Sequence, residues 1–164
     1  MFREVAGCES VSRNGALNQF SHLVREQMAK ERITIKSLVD EGVIKPSHRK
    51  GFFERIATGR LPMAEFLDVL EFTGINRIRA ELAIYCFNDY REYFDASSQT
   101  AASIASYTIV SLKEEIADCD GVFEPIRDNL CENIARTNSK AIAKHHAAIE
   151  EYRNSPTALA RAFS

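Results

Sequence analysis

A chain of 164 residues, 45% of them hydrophobic, is long enough to bury the core of one or two small domains. A net charge of −2 excludes a uniformly basic binder of polyanions. No apolar run approaches the roughly 18 residues of a membrane span. The charge is uneven, however. Residues 1–60 hold eleven Lys/Arg against seven Asp/Glu, a net +4, and residues 61–164 hold ten against sixteen, a net −6. A basic half beside an acidic half suits one anionic partner docking at one end. A chance fluctuation over a solvated surface gives the same numbers.

The chain reads as helices throughout. Asn14 is placed to cap a first helix, in which Leu17, Phe20, Leu23, Val24 and Met28 recur at helical spacing. Thr34 is placed to cap a second, with Ile35, Leu38 and Val39 inward and Gly42 as its stop. Pro46 pushes Lys45 out of helical geometry. Ser47 is then expected to cap a third helix that ends at Gly59, with Phe53 and Ile56 as core anchors and Phe52 beside them. Pro62 suits the first position of a fourth helix, whose buried stripe is Met63, Phe66, Leu67 and Leu70 and whose end is Gly74. Asn76 caps a fifth, with Ile78, Leu82, Tyr85 and Cys86 on one face.

Ser97 to Thr100 mark a change of composition, so residues 1–96 and 97–164 are read as two regions. A small-residue helix is expected from about 101 to 118, a turn at Asp120 and Gly121, and a long helix from about 125 to 153. Along the long helix Ile126, Leu130, Ile134, Ala141, His145, Ala148 and Tyr152 lie near one stripe. That stripe needs cover, either in an intrachain hairpin beneath Ile104, Tyr107, Val110 and Leu112 or against a second copy. Asn154, Ser155 and Pro156 end the helix. No stretch alternates with period two, so the expected class is all-α.

Cys8, Cys86, Cys119 and Cys131 have neither metal-ligand nor redox-motif spacing. Cys86 and Cys131 fall in apolar helical settings and read as buried thiols. With no apolar leader at residues 1–30, the expected setting is a reducing cytoplasm. His145 and His146 are adjacent, hence about 100° apart on a helix, and read as packed side chains rather than a metal site. No Gly-rich phosphate loop and no His-Glu-x-x-His occurs, and the acid pairs Glu114-Glu115 and Glu150-Glu151 lie on polar faces. No catalytic residue, metal or cofactor is therefore assigned.

The densest cations lie between Ile44 and Arg60. Lys45, Arg49, Lys50, Arg55 and Arg60 against Glu54 give a net +4 there. Gly51 inside this run costs about 1 kcal/mol in a helix interior relative to Ala, so its expected reason is close approach, of a neighbouring helix before DNA.

Segment 17–75 resembles the lambda-repressor-like, Cro-type helix-turn-helix domain of prokaryotic and phage regulators. The likeness rests on the first amphipathic helix, on Thr34-Ile35-Lys36-Ser37-Leu38-Val39, on Phe53-Glu54-Arg55-Ile56-Ala57-Thr58-Gly59-Arg60, and on Leu61 to Leu70 closed by Gly74-Ile75. The turn between the second and third helices is longer than the family's, and Val39 stands where the family has a small residue. The resemblance implies a five-helix domain on double-stranded DNA, with the third helix in the major groove. It then makes Ser47, His48, Arg49, Lys50, Glu54 and Arg55 the candidates for base edges. Arg and Lys would donate to guanine, and Glu54 would accept from cytosine N4. Thr34, Lys36, Lys45, Thr58 and Arg60 become the candidates for phosphate. A dimeric repressor, paired through residues 98–153, is the implied function. The alternative is a helical interaction module, an antitoxin or an adaptor, that does not chiefly use DNA.

Overall fold

The computed structural model describes residues 12–119 and 122–154. Among these there are seven α-helices and no strand. They are α1 (Arg13–Lys30), α2 (Ile35–Asp40), α3 (Phe52–Ala57), α4 (Met63–Phe72), α5 (Arg77–Glu81), α6 (Ala96–Ala117) and α7 (Asp128–Arg153). Short 3-10 turns occupy Pro46–His48 and Tyr90–Phe94, and a π turn, Leu82–Cys86, continues α5. The chain forms two compact units, one running to Ala117 and the other starting at Asp118. Cys8, the Asp120-Gly121 turn and the end at Ser155 and Pro156 lie outside the described residues.

The first unit is built around α1. Its Phe20, Leu23, Val24 and Met28 are buried, as their spacing predicts, while at the start of the stripe Ala16 is buried and the expected Leu17 is half-buried. Phe20 meets Phe66 of α4 edge-to-face at 5.5 Å between ring centroids. Ser21 is buried too, and its Oγ donates to the Phe53 carbonyl at 2.8 Å, which ties α1 to α3. Gln27 reaches the Thr73 carbonyl at the end of α4. Leu38, Ile44, Phe52, Ile56, Val69, Ala80, Ala83 and Ile84 complete one continuous core.

Caps set most of the boundaries. Thr34 Oγ1 accepts from the Ser37 amide, and Ser37 Oγ accepts from the Thr34 amide, a reciprocal box that starts α2. Asn76 Oδ1 accepts from the Arg79 amide and starts α5. Ser12, rather than Asn14, caps α1. Pro62 sits one residue ahead of α4, not inside it, and Met63 is exposed while Glu65 is buried.

The third helix departs most from expectation. It starts at Phe52, five residues after Ser47, because Gly51 has φ +68 and breaks the helical run. Pro46–His48 close instead into a 3-10 turn. The register follows: Phe52 is buried, and Phe53 is half-buried under the Arg25 guanidinium, 4.5 Å from its ring centre. After α3, Gly59 at φ +67 lets the Arg60 amide turn back to the Arg55 carbonyl.

At the other end of the unit the π turn re-phases the fifth helix. Ala83 and Ile84 go inward, and Tyr85 and Cys86 come out, the reverse of the predicted face. Cys131 is exposed as well, so neither thiol is buried. The composition change at 97–100 falls inside α6, because Asp95 receives the Ser97 and Ser98 amides and starts the helix ahead of it. Ser98 and Ala102 then bury the first turns of α6 against the unit, while Tyr107, Ile109, Val110 and Leu112 are exposed. In the second unit no side chain of α7 is buried, and Ile126, Leu130, Ile134 and Ile142 are exposed.

Candidate nucleic-acid interface

Lys50, Gly51, Glu54, Arg55, Thr58 and Arg60 line one shallow depression of about 290 Å³ on the outer side of α3. Burial of Phe52 and Ile56 on the opposite side of this helix turns Glu54 outward and leaves Arg55 half-buried. The backbone at both ends of α3 organises the rim. Arg55 Nε donates to the Lys50 carbonyl at 3.4 Å, which lays the guanidinium along the helix N-terminus. Thr58 Oγ1 donates to the Glu54 carbonyl at 2.7 Å, so its hydroxyl proton is spent within α3. Gly59 carries Arg60 round the C-terminus to the same side.

None of Lys45, Arg49, Lys50, Arg55 and Arg60 makes an ion pair among the described residues. Glu54 is the single acid on the depression among the described residues. The rim therefore carries three cations to one anion, and its cations are available to an incoming negative group.

The remaining candidates stand elsewhere. Thr34 spends its hydroxyl as the α2 cap, and Lys36 is exposed in the first turn of that helix. Lys45, Ser47 and Arg49 are exposed on the connection between α2 and α3. The sequence placed His48, Arg49 and Lys50 in the first turn of the third helix, but α3 starts at Phe52 and all three precede it. His48 faces inward. Its Nδ1 donates to Glu65 Oε2 at 2.6 Å, and the two side chains are 18% and 12% exposed. The Lys45 amide reaches the same oxygen at 3.4 Å.

This pair gives the connection a fastening that the sequence did not reveal. Glu65 lies 17 residues from His48 and reads in sequence as a polar position of α4, so no periodicity links the two. Burial pushes the Glu65 carboxyl up, but the hydrogen bonds from His48 and the Lys45 amide and the charges of both residues outweigh it. The group titrates below the usual glutamate value of 4.5. A carboxyl lowered by folding contributes stability above its unfolded value and loses that contribution as pH falls through the folded one. Glu65→Gln is thus expected to lower the melting temperature at neutral pH, with the gap to the parent closing below about pH 4.5. Melting curves across pH 3–7 check this. A gap independent of pH removes the ion pair from the explanation.

No group of three or more His, Cys, Asp or Glu side chains placed to hold a metal ion occurs among the described residues. No described helix is long and apolar enough to cross a membrane. Comparison with protein-family models, with curated proteins and with solved structures found no match.

Proposed function

We propose that the first unit binds double-stranded DNA as a transcriptional regulator of the helix-turn-helix type, with α3 and the connection before it against the duplex. The observation that carries this reading is the cation set around α3, Lys50, Arg55 and Arg60 on one rim, none of them ion-paired among the described residues. Arg49 and Lys45 extend it along the connection. Because α3 has only six residues and begins at Phe52, base-edge readout falls chiefly to Lys50, Glu54 and Arg55. Arg60, Lys45 and Lys36 take phosphate. His48 is withdrawn from the contact set and acts by holding the connection.

The test is a fluorescence-anisotropy titration of genomic duplexes from around the gene at several salt concentrations. Log affinity is expected to fall with log salt at about −0.9 per phosphate contacted, a slope steeper than about −3 for the rim and connection together. A flat response, or no binding at low salt, favours the interaction-module reading, in which the same face receives an acidic protein.

One short helix reaches only a few base pairs, so tight binding calls for two copies about 34 Å apart. The exposed Tyr107, Ile109, Val110 and Leu112 of α6 and the Leu130, Ile134 and Ile142 of α7 supply apolar surface for pairing. The full chain is expected to run as a dimer in light scattering at micromolar concentration, and Leu130→Asp with Ile134→Asp is expected to make it a monomer with weakened DNA affinity. A monomeric parent would rule the pairing out.

A further inference from the structure

A second cleft, of about 460 Å³, opens on the first unit between the start of α5 and the outer side of α6. Asn76, Arg79, Tyr93, Gln99, Ser103 and Tyr107 are its principal walls, and among the described residues no acidic side chain lines it. Its floor is rigid. Tyr93 is buried, and its hydroxyl accepts from the Asn76 amide at 3.0 Å.

Arg79 is the one charged group of the cleft among the described residues. Its guanidinium carbon lies 4.6 Å from the centre of the Tyr93 ring, a cation–π contact that sets its plane. Of five N–H donors, one is used among the described residues, by Nη2 to the Asp95 carbonyl at a long 3.3 Å. Nε is covered from solvent and has no hydrogen-bond partner among the described residues. The nearby Asp95 carboxylate is engaged elsewhere, by the amides of Ser97 and Ser98 and the Ser97 hydroxyl at the start of α6. Its charge therefore serves the helix end and not the arginine. Nε is thus cut off from both water and protein partners among the described residues, while the Nη end of the guanidinium stays open to an incoming anion.

We infer that this cleft is a binding site for a small organic anion, with a carboxylate or phosphate on the Arg79 guanidinium and a planar or apolar remainder under Tyr107. The planar fork of arginine matches both headgroups in two-point geometry. Asn76, Gln99 and Ser103 add amide and hydroxyl groups for the polar edges of the ligand, and the volume suits a molecule between an aromatic acid and a mononucleotide. Tyr107 is 75% exposed, so a large aromatic surface beside the cleft stands uncovered. The site does not depend on whether the α3 face binds DNA.

The test is calorimetric titration of the full chain with benzoate, adenosine monophosphate and inorganic phosphate. Benzoate or adenosine monophosphate is expected to bind saturably, with inorganic phosphate at least about tenfold weaker for want of the ring; which of the two binds identifies the headgroup. Arg79→Lys keeps the charge and loses the fork, and Gln99→Glu sets a like charge at an exposed position of the wall. Each is expected to weaken binding at least about tenfold while helical circular dichroism stays unchanged. A nucleotide held by Arg55 and Arg60 instead would survive both changes. Absence of saturable binding by both organic probes overturns the site, as does binding retained in either variant, and equal binding of inorganic phosphate overturns the role of Tyr107.

Discussion

Replacing Lys50, Arg55 and Arg60 together by alanine is expected to reduce duplex affinity by on the order of a hundredfold or more at 0.1 M salt, because the base contacts of Lys50 and Arg55 are lost together with the phosphate contact of Arg60. The three side chains frame the depression beside α3, and no ion pair within the described residues ties them down. Their loss should leave the fold intact. Lys50 and Arg60 are exposed, and Arg55 spends one hydrogen bond, of 3.4 Å, on the protein. The log–log salt slope should become shallower by about 0.9 for the Arg60 phosphate contact, and by about 0.9 more for each of the other two cations that meets phosphate rather than a base. Alanine at Lys50 or Arg55 alone divides the readout further. A base contact costs about 1–3 kcal/mol and relaxes preference at one position, whereas a phosphate contact weakens all sequences alike. An unchanged slope in the triple variant would remove this face from DNA binding altogether.

Phe52→Ala is expected to destabilise the first unit by about 3–5 kcal/mol, and Phe53→Ala by less. Phe52 is 1% exposed and surrounded by the core of α1 and its neighbours, so truncation leaves a cavity that a close-packed interior cannot refill. Phe53 is half-buried, with one face under Arg25, and its removal opens to solvent. Domains of this size have about 5–15 kcal/mol of stability, so the first substitution consumes a large part of it. Denaturant midpoints at constant slope give the comparison. A larger loss for Phe53→Ala would contradict the register of α3.

These two neighbours show where sequence pattern stops being informative. The order of α1 to α5 was legible, because glycines at 42, 59 and 74 and polar caps at Thr34 and Asn76 act within one turn of themselves. The inward faces of α1 and α2 were legible too, since Phe20, Leu23, Val24, Met28 and Leu38 repeat at 3.6. The start of α3 was not. Pro46-Ser47 is a strong local signal for a helix N-terminus, but it competes with Gly51, whose left-handed backbone delays the helix to Phe52. A shift of start by four residues changes which aromatic faces the core. Tyr85 and Cys86 were misplaced for a related reason, since a π turn inserts a residue that no 3.6-residue count anticipates. In the candidate site, composition pointed to Arg55 and Arg60, while the inward turn of His48 follows from a long-range partner, Glu65, with no local signature.

The connection between α2 and α3 is held at three places: by Ile44 in the core, by the His48–Glu65 pair and by Gly51 at the helix start. A free loop of this length would lose about 1–2 kcal/mol of backbone entropy per residue on ordering against a ligand. Here that ordering accompanies folding. A polyanion arriving at Arg49 and Lys50 immobilises their side chains but not the chain that carries them, so preorganisation adds to affinity without adding a contact. Loosening the fastening at His48 should therefore weaken binding entropically, at residues whose chemistry is unchanged.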